Sequence, residues 1–214
     1  MRFGIRGRWL ATAAALAAGT AGAPAAAAAQ TVTLAAALTG DQEVRPGMPP
    51  VVTSASGFGT LTYNQGLGTI AVALRVVGLG SNTVGVGPGN GPGHVHLGGP
   101  TMNGPIAIPI TAAPVGRVEF DVVQTWTFAE LAAVGVAPAT IATLTSTLNG
   151  LVGAGVGTQA NLYFNVHTVT YPGGEIRGNM AVVPEPSSVA LVAAGLGVLG
   201  VLGATVRRRR RQRA

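Results

Sequence analysis

Three histidines are the residues of this chain best suited to chemistry: His94, His96 and His167. His94 and His96 lie two apart in the run GHVHLG, so in a strand their imidazoles share one face while Val95 and Leu97 point to the other. Two imidazoles at that spacing, with a third brought from another strand, suit one copper or zinc ion. The plainer alternative is local hydrogen bonding. His94 and His96 then bond to neighbouring strands, and His167 meets Glu175 or Arg177 across a hairpin. The sequence reading favours that alternative, so no metal and no cofactor is assigned and the three histidines stand as candidates only.

No other group of residues makes a catalytic centre. The chain has no cysteine, which excludes thiolate catalysis, cysteine-based zinc sites and disulfides. Glu119 and Asp121 share a strand face, whereas a glycosidase pair flanks a cleft from separate elements. Asp41 and Glu43 suit a solvated turn beside Arg45. The run GPGNGPG (87–93) has no lysine and no following helix, so it reads as a loop and not a phosphate cradle. The protein is expected not to be an enzyme.

The elements that must carry the histidines are strands. TIAVALRVV (69–77) alternates, with Ile70, Val72, Leu74 and Val76 on one side. GFGTLTY (57–63) precedes it across a Gly-rich connection, and VGRVEFDVV (115–123) sends Val118, Phe120 and Val122 inward. NLYFNVHT (161–168) sets Leu162, Phe164 and Val166 opposite Tyr163, Asn165 and His167. GEIRGNMAV (174–182) returns antiparallel through Tyr171-Pro172-Gly173-Gly174, where Gly174 meets the turn's need for positive φ. PATIATLTSTLNG (138–150) breaks the pattern with Ile141, Leu144 and Leu148 at helical spacing behind Pro138, and Phe128–Val134 suits another helical turn. The expected fold is an all-β, antiparallel Greek-key-like sandwich with a short inserted helix.

The two ends place this domain. All 13 basic residues are arginine and the formal charge is +6. Between residues 30 and 183, however, four arginines face six acids, a balance of −2. The basic charge belongs to the tails, which excludes nucleic acid as a partner. Residues 1–29 have an arginine-bearing start, an alanine-rich apolar run and small residues before a cleavage point at Ala29/Gln30, the pattern of a signal peptide. Ser187–Val206 is 20 residues without charge; as a helix it spans about 30 Å, the thickness of a bilayer core. Arg207, Arg208, Arg209, Arg210 and Arg211 follow and hold that end in the cytoplasm, so the domain between lies across the membrane.

Val183-Pro184-Glu185-Pro186-Ser187, then the apolar span, then the arginines, resembles a PEP-CTERM sorting signal over residues 183–214. The resemblance implies recognition at Pro184, Glu185 and Pro186 by an exosortase, a membrane processing enzyme. It further implies anchoring in the inner membrane before processing, then transfer to the surface or matrix of a Gram-negative bacterium. LTGDQEV (38–44), HVHLG (94–98) and NLYFNVHTVTYPGGEIRGNM (161–180) resemble the CHRD domain, over residues 30–182 in all. Asn165, His167, Pro172, Gly173, Gly174, Glu175 and Arg177 carry the family motif as structural positions. EVRPGMPP in place of a compact EVPP, and a longer approach to His94, depart from the pattern. The family implies a β-sandwich and no general activity. His-Val-His is also similar to a run in copper–zinc superoxide dismutases, but those need more histidines and an aspartate ligand that this chain lacks.

The expected function is therefore an exported, non-enzymatic domain in adhesion, envelope or matrix structure, with an extracellular polysaccharide or matrix as partner. The alternatives are a surface metalloprotein using His94, His96 and His167, or a permanently membrane-anchored ligand-binding module.

Overall fold

The computed structural model describes residues 30–184. The signal peptide (1–29, with Ala29), Glu185, Pro186, the apolar span (187–206) and Arg207–Arg211 lie outside the described residues. Among the described residues no helix is long and apolar enough to cross a membrane.

Eight strands form one antiparallel sheet: β1 (Thr31–Leu38), β2 (Ser56–Asn64), β3 (Thr69–Val77), β4 (Gly93–Leu97), β5 (Ile106–Ile110), β6 (Phe120–Thr127), β7 (Gln159–Val166) and β8 (Ile176–Val183). Their order is β5-β4-β7-β8-β1-β2-β3-β6. Within it, β8-β1-β2-β3 is Greek-key-like, β8 returning beside β1 after four intervening strands. The two halves curl face to face into a near-barrel. A Cβ on Gly59 of β2 would stand 2.5 Å from the Phe164 ring of β7, so glycine is what lets the halves approach. Between them lies one core, with Leu34, Leu61, Ile70, Leu74, Ile108 and Phe164 among its fully buried members.

Alternation explains β3 as expected: Ile70, Val72, Leu74 and Val76 are buried, and Arg75 and Val77 exposed. The expectation for residues 115–123 needs correction. Val118 is 46% exposed and the strand starts at Phe120, continuing to Thr127. Residues 117 and 118 instead give their carbonyls to Thr83 and Leu79, away from the sheet ladder.

Two helices cover the gap between edge strands β5 and β6: α1 (Phe128–Ala133) and α2 (Pro138–Leu151). Thr127 caps α1, its Oγ1 accepting from Glu130 N while Glu130 Oε2 accepts from Thr127 N, which satisfies donors that a helix start leaves free. In α2, Pro138 sits in the first turn, and Leu144, Leu148 and Leu151 are buried at helical spacing. Tyr63 Oη donates to Asn149 Oδ1 at 2.8 Å, tying α2 to β2.

Candidate metal centre

The histidines stand on the face of the sheet turned away from the core. In β4, Gly93 and Val95 face inward, so His94 and His96 face outward. Register then brings His94 opposite Asn165 and His96 opposite Tyr163, and on the far side of β7 Asn165 opposes Arg177 and Tyr163 opposes Asn179. An outward face normally meets water, yet His94, His96, Tyr163, Asn165 and Arg177 are all buried. Loops close over them: the Gly-rich run before β4, the segment after β4, the turn after β7 and the turn following β1.

His167 lies one residue beyond β7, and its N donates to Pro92 O at 2.8 Å, which draws it alongside the start of β4. The His94 and His167 ring centroids are 4.9 Å apart, His94 and His96 5.7 Å, and His96 and His167 6.2 Å. One ring nitrogen from each lies within 4.8 Å of the other two. A point no more than about 2.8 Å from all three therefore exists, against about 2.0–2.1 Å in a formed zinc–imidazole bond.

Each ring uses its other nitrogen on a backbone carbonyl. His94 Nε2 bonds to Val86 O at 3.0 Å, His96 Nδ1 to Gly104 O at 2.9 Å and His167 Nδ1 to Pro172 O at 2.9 Å. A carbonyl only accepts, so each of those nitrogens carries the hydrogen. The remaining nitrogens (His94 Nδ1, His96 Nε2 and His167 Nε2) are then bare lone pairs, buried and without a partner. Buried polar atoms nearly always have one. Orienting a ligating histidine by a hydrogen bond from its second nitrogen is the usual arrangement of a metal site.

Electrostatics keep the rings neutral. Burial is the main cause in all three. It takes His94 down to about 3, helped by His167 and His96, and takes His96 and His167 down to about 4 against the carbonyl bonds, which raise them. Exposure is 0% for His94, 8% for His96 and 5% for His167.

These contacts correct the expectation that the histidines bond to neighbouring strands and that His167 meets Glu175 or Arg177. Glu175 accepts instead from Thr53 Oγ1, Gly80 N and Thr168 Oγ1 at 2.7–2.8 Å. Arg177 donates to Asn179 Oδ1, Asn103 Oδ1, Gly99 O and Met102 O, and its guanidinium carbon stands 3.4 Å from the Tyr163 ring centroid. The motif residues thus build the wall of the site. Asn165 Nδ2 holds Gly173 O, and Gly174 has φ 132 with Asn165 and Glu43 where a Cβ would be. Pro184 directly follows β8.

Glu43 also departs from expectation. It is 6% exposed and not in a solvated turn, and burial raises it to about 7 against the pull of Arg177 and Arg45. Glu119 and Asp121 are exposed, with Asp121 4.0 Å from Arg75, a surface pair of small energetic weight. Residues 87–92 are the connection expected, with a 3-10 turn at Pro88–Asn90, and their neighbour Val86 supplies the carbonyl that orients His94. The sequence reading missed Tyr163 and the Gly104 carbonyl. Tyr163 had a signal, its place on the histidine face of β7, but a peptide carbonyl has none.

A family model for the CHRD domain matches residues 34–180. A second, for the PEP-CTERM protein-sorting motif, matches residues 182–211. No curated protein and no solved structure matches the chain.

Proposed function

The chain belongs to the CHRD-domain family, and from that premise we propose that its β-domain binds one copper or zinc ion through His94, His96 and His167. The sorting motif makes it an exosortase-sorted extracellular protein. The proposed setting is the bacterial surface or matrix, where the domain serves an envelope or matrix role without catalysing a reaction. Two observations together carry the metal reading: one ring nitrogen of each histidine lies within 4.8 Å of the others, and each ring, held by a carbonyl on one side, has its other nitrogen buried without a partner. Hydrogen bonding alone accounts for only half of each ring. An ion accounts for the other half and removes the cost of three buried acceptors without donors, about 1–3 kcal/mol each.

The test is metal analysis of the full chain purified in detergent, beside His94→Ala, His96→Ala and His167→Ala. One copper or zinc per chain, lost in each variant, is expected. A chain that takes up neither ion would end the proposal.

A further inference from the structure

Resting on that metal-site reading, we infer that the ion the site selects is monovalent copper, held by three neutral imidazoles. Three features of the pocket point the same way. The ligand set contains no anion: the clustered metal-binding side chains are His94, His96 and His167, with no carboxylate or thiolate among them. A divalent ion would bring its whole double charge to three neutral ligands, whereas Cu(I) brings half as much.

A buried positive charge stands behind the site. Arg177 is fully buried and its hydrogen-bond partners are amide and carbonyl oxygens, not carboxylates. Its guanidinium lies on Tyr163, which in turn stacks on His96 with ring centroids 4.9 Å apart. Glu43 is the acid that faces Arg177, and burial keeps it largely protonated below neutral pH. A buried cation at this distance disfavours a dication more than a monocation, in proportion to their charges.

The third feature is ligand number. Zinc sites are four-coordinate, so three protein ligands leave a position for water or another group. Here each histidine keeps one ring nitrogen buried and without a partner. Monovalent copper, with half the charge of zinc and no need of a fourth ligand, is complete with three nitrogens in a trigonal arrangement.

The experiment is a pair of competition titrations on the full chain in detergent. Cu(I) is titrated without oxygen against bathocuproine disulfonate, and Zn(II) against a chromogenic zinc chelator. The expected result is one Cu(I) per chain, retained in the presence of a roughly 100-fold excess of zinc, with no Cu(II) resonance after exposure to air. Arg177→Gln is expected to narrow the preference for Cu(I) over zinc by about tenfold. Because Arg177 also braces the loop after β4, the titration of the unaltered chain decides alone. Zinc displacing copper, or a Cu(II) resonance that ascorbate does not remove, overturns the copper(I) inference and leaves the metal site standing. No uptake of either ion removes both.

Discussion

His96 and Tyr163 stack 11° from parallel, and both grip one peptide: Gly104 N donates to Tyr163 Oη at 3.1 Å, while Gly104 O accepts from His96 Nδ1 at 2.9 Å. The phenol therefore fixes the carbonyl that fixes the imidazole. Tyr163→Phe keeps the stack and deletes the anchor. Metal affinity should fall roughly tenfold, and chelated protein should lose about 1 kcal/mol or more, because Gly104 N–H is left unpaired. Equal affinities in the two proteins would show that Tyr163 only fills space.

The metal-free domain should be acid-sensitive in a defined window. The three histidines titrate near their ordinary 6.5 when unfolded but only at about 3 to 4 when folded. Between those values the unfolded chain binds more protons, so stability is full above pH 6.5 and falls as pH drops towards 4. Glu43 acts in the opposite sense. Raised from 4.5 to about 7, it contributes below pH 4.5 and loses that contribution as pH rises through 7. Melting temperatures in chelator should thus rise from pH 4 to 6.5. Glu43→Gln should gain on the unaltered chain between pH 5 and 8. A gap that stays constant across that range would contradict the assignment of Glu43.

Gly174→Val should destabilise the domain by about 2 kcal/mol or more. The backbone has φ 132 there, which side chains rarely adopt, and a Cβ would overlap Asn165 and Glu43. The same turn sets the β7–β8 register that places Arg177 opposite Asn165. An unchanged melting temperature would remove the turn from the account of how the site is framed.

Much of this fold is legible in the sequence because side-chain pattern dictates it. Ile70 to Val76 alternate because one face of β3 is core. Pro138, Leu144 and Leu148 mark α2 because helix starts and buried stripes need those residue types. Two-residue spacing likewise puts His94 and His96 together. What could not be read is what covers them. Val86, Gly104 and Pro172 contribute only carbonyl oxygens, and any residue has one. Glu43 looks like a solvated acid because the loop that buries it comes from elsewhere in the chain. The start of β6 was misplaced since the alternation of residues 115–119 continues that of the strand while their backbone bonds lie with residues 79 and 83.

Processing should leave the β-sheet whole. Val183, the last residue of β8, pairs with Thr33, and Pro184 of the sorting motif comes next. Mass spectrometry of the surface-released form should find an N-terminus at Gln30 and a C-terminus near Pro184 to Pro186, without Arg207–Arg211. Arginines retained in the mature protein would instead support permanent anchoring.

The central claim is that three imidazoles from β4 and the end of β7 converge on one ion. X-ray absorption at the metal edge of the loaded chain tests this most directly. Three imidazole nitrogens at about 2.0 Å are predicted. A first shell of oxygen atoms without imidazole scattering would contradict it.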